Sequence, residues 1–229
     1  MIGIPVINSA RSLIIAQDKF RTYSLMQQNN IQTPFSILCY DIRRVWNLIE
    51  SGCIRYPFVV KKPYGGRGEG VFVIMNAHDL GKASVVFSVT ESVLVQDYIE
   101  LEKHNGCFRD MRIWVCRNPD SEKPRFVGAF YRNAPIDRYL TNTSIGGSIA
   151  PMKVCDDEII KISEKALDII GADVAGIDIA RDSNGSLYLL EINASFDTAQ
   201  ESINAIGVDV WNIVMDLVEK RVNRKKWSQ

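Results

Sequence analysis

The 229-residue chain predicts an α+β fold with largely antiparallel sheets. Two observations carry that expectation. Strand-like and helix-like runs are mixed without the regular βαβ alternation of a doubly wound sheet. Several alternating apolar runs are also joined by short turn-forming stretches, NPDSEKP at 118–124 and Asn184-Gly185, as antiparallel neighbours require.

The elements read in order as follows. Residues 10–29 hold good helix formers with few breakers, and Ser9 can cap the start. Pro34 introduces a strand at FSILCY, a helix follows over 41–51, and Gly52 ends it. FVVK and VFVIM are strands flanking a glycine-rich loop, with a helix at 77–87 and a strand at SVLVQDYIE beyond them. DMRIWVC and RFVGAFYR predict paired strands, residues 138–151 a loop, and 156–170 a helix closed by Gly171. A hairpin over 173–193 and a helix over 200–222 complete the chain. The internal seam lies near 99–109, dividing a lobe over 1–98 from one over 99–229.

Composition narrows the function classes. Lys plus Arg and Asp plus Glu number 27 each, so the basic excess of a nucleic-acid coat is missing. The tail KRVNRKK at 220–226 prompts a nucleic-acid reading, but in a balanced chain it reads better as a solvated helix end. No apolar run reaches the roughly 18–20 residues of a membrane span. The first residues do not read as a secretory leader. Five scattered cysteines without a CxxC pair, and two isolated histidines, predict reduced thiols, no zinc site and a cytoplasmic setting.

Two stretches carry chemistry. KKPYGGRGEGV places glycines at 65, 66, 68 and 70 between two strands. Glycine lets backbone amides approach a ligand, and chained amides cradle phosphate oxygens. The Gly-Lys-Ser/Thr ending of a Walker loop is absent, and a strand rather than a helix follows, so a dinucleotide fingerprint does not fit. A flap over phosphates and a plain glycine hairpin both remain open. Lys61, ending an apolar strand just before the loop, favours the flap because it needs an anion or a route to water.

The second stretch is GIDIARDSNGSLYLLEIN. A two-residue Asn184-Gly185 turn would set Ser183 opposite Ser186, Ile179 opposite Leu190, Asp178 opposite Glu191 and Gly176 opposite Asn193. Asp178, Glu191 and Asn193 then share one face, and Ile177, Ile179, Leu190 and Ile192 the other. Two carboxylates at about 4.5–5.5 Å between β-carbons need a proton, a cation or a metal. Oxygen-only donors suit magnesium, with manganese as an alternative. A three- or five-residue turn would shift the register by one and separate the acids.

With these motifs in series, the chain resembles the ATP-grasp superfamily, and within it the RimK-type glutamate and peptide ligases. GIPVINSARS, QDKF, VVKKPYGGRGEGV, LVQDYI, RDMRIWV, YRNAP, TNTSIGG, VAGIDIA and LLEINAS follow in the family's order. The resemblance implies an ATP-grasp fold of two α+β lobes gripping ATP. It implies Lys19 and Lys61, with the flap glycines Gly65, Gly66, Gly68 and Gly70, against nucleotide phosphates. It implies Gln96, Asp97, Tyr98 and Ile99 against adenine and ribose, and Asp110 beside the nucleotide. Arg112 and Arg132 would meet phosphates or an acyl-phosphate, with Arg132 also counted among the nucleotide contacts. Asp178, Glu191 and Asn193 would hold magnesium, and Asn142, Gly146 and Gly147 would lie near the acceptor.

The implied activity is ATP-dependent amide formation through an acyl-phosphate, joining a glutamate-like amino acid to a peptide or small-molecule acceptor. The rival is a nucleotide-binding module without catalysis, or one subunit of a larger complex. Two departures bear on the choice. The family's usual amino-terminal domain has no counterpart in this sequence, which leaves room for a homo-oligomer or a partner subunit. After Asn193 the chain reads Ala194-Ser195-Phe196-Asp197 where the family typically has Ser-Pro-Gly.

Overall fold

A computed structural model describes residues 6–65, 70–135, 138–141, 146–194 and 199–226. Two antiparallel sheets organise it. The first has the order β1-β4-β2-β3, built from β1 (Ser36–Cys39), β2 (Phe58–Lys61), β3 (Val71–Ile74) and β4 (Val93–Asp97). The second runs β10-β9-β6-β7-β8, from β6 (Cys107–Arg117), β7 (Pro124–Asn133), β8 (Ser148–Pro151), β9 (Val174–Arg181) and β10 (Leu187–Asn193), with the two-residue β5 (Lys103–His104) beside β6.

Alternation decides which face of each sheet is core. Phe58, Val60, Ile74, Val93 and Val95 turn one way and pack under α3 (Arg44–Glu50) and α4 (Ala77–Val86), around Val45, Leu80 and Ala83. In the second sheet Ile113, Ala129, Ile177, Ile179 and Ile192 pack against α1 (Ala10–Gln17), α2 (Lys19–Gln28) and α5 (Asp157–Ile170). Ile15, Ala16, Met26 and Ile31 belong to this second core. The first two helices therefore precede the first sheet in sequence but pack with the second. On the opposite face of the second sheet, Trp114 and Phe130 are covered by α6 (Gln200–Ile206) and by Val210 of α7 (Val210–Lys226). Cys116 and Val174 pack under Leu217 of α7, while Asp110, Arg132, Asp178 and Glu191 look toward the first sheet.

Four local expectations change. The helix expected over 10–29 breaks at Asp18, which is extended and whose carboxylate caps α2 through the Arg21 amide at 3.0 Å. The helix expected over 200–222 breaks at Gly207, left-handed at φ 72°. The loop expected over 138–151 ends in β8, whose pairing with β7 is long-range. The hairpin turn is the fourth change. Asp182 N–H donates to Ser186 O and Gly185 N–H to Asp182 O, both at 3.0 Å, so the loop has three residues and only Gly185 takes positive φ.

That three-residue turn shifts the near part of the hairpin by one, pairing Leu189 rather than Leu190 with Ile179. A bulge at Leu190 then restores the far part, so Asp178 still faces Glu191 and Gly176 still faces Asn193. Core packing explains both irregularities. They bury Leu187 and Leu189, at 8% and 1% exposure, and leave Leu190 on the cleft side, contrary to the regular hairpin.

Candidate active site

The cleft lies between the two sheets. Val59, Lys61 and Gln96 enter from the first sheet, and Asp110, Arg132, Asp178 and Glu191 from the second. Lys19 and Tyr64 close one side, and Tyr139, Leu140 and Thr141 another.

Adjacent strands supply a ladder of charge. Arg112 of β6 is the register partner of Asp178, and Asp110 is the partner of Arg132 on β7. Arg112 holds Asp178 bidentately through Nε to Oδ1 at 2.7 Å and a second guanidinium nitrogen to Oδ2 at 2.8 Å. Arg132 holds Asp110 the same way at 2.8 and 2.6 Å, and reaches Asp178 Oδ2 at 2.9 Å. Thr141 donates to Asp110 at 2.6 Å. Burial pushes the Asp178 pKa up, but the guanidinium groups of Arg112 and Arg132 outweigh it and hold the carboxyl below its ordinary value. For Arg132, burial favours the neutral form, and Asp110 and Asp178 reverse that and raise its pKa.

Glu191, beside Asp178, pairs with Lys19 at 2.9 Å. Lys19 reaches the site because the chain breaks at Asp18. Its amide donates to Pro63 O at 3.0 Å, Asp18 bridges to Tyr64, and its ammonium also donates to the Gly65 carbonyl. The start of the glycine loop is thus tied to the acid pair.

Lys61 differs from the other cations. It is 8% exposed, its Nζ donates to Tyr23 Oη at 2.8 Å, and among the described residues no carboxylate lies within ion-pair distance of it. Burial lowers its pKa to about 8 against the opposing pull of Glu191.

The remaining expected residues distribute unevenly. Gln96 is buried in the cleft wall and donates to Ser36 Oγ at 3.0 Å. Asp97 ends β4 and is exposed. The Tyr98 ring lies tilted against Tyr139 at 4.8 Å between centroids, and Tyr139 donates to the Ile99 carbonyl at 2.8 Å, which leaves that carbonyl a second lone pair. Gly65 and Gly70 take positive φ, 106° and 69°, at the two ends of the loop. Gly66, Gly68, Asn142 and Ser195-Phe196-Asp197 lie outside the described residues. Gly146 and Gly147 lead into β8 and do not line the cleft. Sequence reasoning passed over Tyr23 and Thr141. Tyr23 sits in no pattern that marks it, and Thr141 opens the TNTSIGG motif without standing out in it, because each matters through a partner distant in sequence.

Asp178, Glu191 and Asn193 supply only oxygen donors toward a metal, the set a hard divalent cation takes. Among the described residues no three His, Cys, Asp or Glu side chains cluster, so the set depends on the Asn193 amide. That amide's nitrogen faces Asp178 Oδ2 at 3.4 Å. A carboxylate oxygen has more than one lone pair, so the ion pairs to Asp178 and Glu191 leave acceptor capacity, and the donor set fits.

Two facing antiparallel sheets, with acids on one and a buried lysine on the other, form an ATP-grasp fold. The chain belongs to the RimK-like ATP-grasp family, whose domain model matches residues 16–218. It is 31% identical over 207 residues to a coenzyme gamma-F420-2:alpha-L-glutamate ligase of Methanocaldococcus jannaschii, covering 90% of this chain and 67% of that protein. It is 31% identical over 226 residues to the alpha-aminoadipate–LysW ligase LysX of Saccharolobus solfataricus, covering 96% and 74%. Among solved structures, the D-alanine-D-alanine ligase from Coxiella burnetii superposes with TM-score 0.69 at 17% identity, over 97% of this chain and 61% of that one. The ATP-grasp ligase PsnB complexed with minimal precursor gives TM-score 0.68 at 19% identity, over 94% and 64%. The chain thus spans about two thirds of the length of these curated relatives and somewhat less than two thirds of the solved neighbours. Among the described residues no helix is long and apolar enough to cross a membrane.

Proposed function

We propose that the chain is an ATP-dependent carboxylate–amine ligase that joins a glutamate-like amino acid to a peptide or small-molecule acceptor. The observation that carries this reading is Lys61: a buried ammonium without a carboxylate partner among the described residues, facing an acid pair across one cleft. A buried charge of that kind calls for an anion, and a triphosphate supplies it. The named relatives, two of them ligases of glutamate or LysW, support the acceptor class.

In this reading a substrate carboxylate attacks the γ-phosphate of ATP, giving an acyl-phosphate and ADP. An amine then attacks the acyl carbon, giving the amide and releasing phosphate. Lys61 and Lys19, with Gly65, Gly66, Gly68 and Gly70, bind the phosphates. Gln96, Asp97, Tyr98 and Ile99 seat adenine and ribose, and Asp110 orients Arg132 beside them. Arg112 and Arg132 position the transferred phosphoryl group and stabilise its charge, with no protein nucleophile. Asp178, Glu191 and Asn193 would hold magnesium, or manganese, which supplies neutralisation of phosphate charge. Asn142, Gly146 and Gly147 border the acceptor. The lobe division at 98 and 99, the cytoplasmic setting, and a homo-oligomer or partner subunit belong to the same reading.

The test is incubation with magnesium, ATP and pools of amino acids and acceptors, with ADP measured and the amide product identified by mass. Glu191→Ala should abolish ADP release while the folded protein is retained. Full turnover in that variant removes Glu191 from the metal set, and no ADP with any acceptor pool leaves the non-catalytic nucleotide module as the better reading.

A further inference from the structure

Tyr23 sits at the meeting point of the two sheets. It comes from α2, packed with the second core, and is 2% exposed. Its hydroxyl donates to the Leu190 carbonyl at 2.5 Å, the residue at the β10 bulge. Its oxygen accepts from Lys61 Nζ at 2.8 Å, and that nitrogen also lies 5.2 Å from the ring centroid. The direction of both bonds is forced. A carbonyl has no proton, so the tyrosine must donate to Leu190, which leaves its lone pairs facing the lysine. The bulge carbonyl therefore sets the rotor of a phenol that in turn aims an ammonium from the other sheet.

We infer that Tyr23 is a positioning residue, anchored on the Leu190 bulge, that holds the Lys61 ammonium of the first sheet toward the anion site bounded by the second sheet's acids. A lysine has four rotatable side-chain bonds, and a flexible one spends binding energy on its own ordering. Tyr23 pre-orders it. Burial strengthens the arrangement, because it both costs Lys61 its water and keeps the phenol neutral by raising the Tyr23 pKa. The other groups near Tyr23 are Lys19 of α2, Gln96 of β4, Asp178 of β9 and Glu191 of β10. None of these makes an ion pair with Lys61 among the described residues.

This inference rests on Lys61 being a phosphate ligand, and its test separates the two. Magnesium-ADP affinity is measured by calorimetry for the wild type, Tyr23→Phe, Lys61→Met and the double variant, with the thermal midpoint of each. Tyr23→Phe keeps the ring and removes one oxygen. It should weaken ADP about tenfold, the loss of one hydrogen bond to a charged group. In the Lys61→Met background the same change should cost less than about twofold, because the group it positions is gone. A purely structural tyrosine would instead lower the thermal midpoint and weaken ADP equally in both backgrounds. That result overturns the inference. So does wild-type affinity in Tyr23→Phe, or the absence of a cooperative melt in that variant. If Lys61→Met itself binds ADP like the wild type, the phosphate role of Lys61 falls first and takes this inference with it.

Discussion

At the residue scale, the buried charges set the energetics of the cleft. Lys61 carries a pKa near 8 because burial disfavours its ammonium. Below pH 8 both folded and unfolded chains hold the proton, and the folded state bears the full cost. Between about 8 and 10.5 the unfolded chain keeps a proton that the folded one has released, so stability rises with pH across that window. Lys61→Met should remove this climb and raise stability at pH 7 by roughly 3 kcal/mol, while weakening nucleotide binding. Denaturant melts at pH 7, 9 and 10.5 check it, and a retained climb assigns the proton to another group. Asp178 has the opposite sign. Its pKa is lowered, so it stabilises above the ordinary carboxylate pKa, and the contribution is lost as pH falls through the folded value. Asp178→Asn leaves Arg112 and Arg132 short of a buried counter-ion and should cost about 3–5 kcal/mol at pH 7. The cost should shrink on acidification, and an equal cost at pH 7 and pH 3 would contradict the ion-pair account.

At the scale of elements, β10 shows how packing overrides local turn preference. A two-residue Asn-Gly turn would have kept one register throughout and put Leu190 into the core. The observed turn and bulge bury two leucines instead, while Asp178 and Glu191 stay paired. Leu189→Ala should therefore cost about 2–5 kcal/mol, and Leu190→Ala about 1 kcal/mol or less. Urea melts of the two variants decide the register, and the reverse order would restore the regular hairpin. The apolar spacing of LYLLEIN held a clue. Leu187 and Leu189 alternate in phase, Ile192 is out of phase, and an extra residue must fall between them. The expected pairing of Asp178 with Glu191 stands, but not through the expected two-residue turn: the longer turn shifts the register by one and the Leu190 bulge shifts it back. The break at Asp18 was not legible, since it depends on the bridge to Tyr64 and the bond to Pro63. Nor was β8, whose partner among the described residues is β7.

For the whole molecule, ligand binding at a cleft between two sheets should be read in global stability. Nucleotide at about 100 times its dissociation constant adds about 2.7 kcal/mol. For a chain of this size that raises the thermal midpoint by roughly 5–11 °C. Magnesium-ADP should show this shift, and Lys61→Met and Glu191→Ala should lose most of it. An unshifted midpoint under saturating magnesium-ADP would count against the nucleotide site. The α+β class with antiparallel sheets, the polar and apolar faces of each strand and the glycine-flanked lysine all follow from residue periodicity and chemistry, which are local and additive. The cross-sheet contacts among Tyr23, Lys61 and Leu190, the double engagement of Asp178 by two arginines, and the bulge that keeps the acids paired come from the fold as a whole. They join residues up to 167 positions apart, and no short-range pattern encodes which distant groups must share one buried volume.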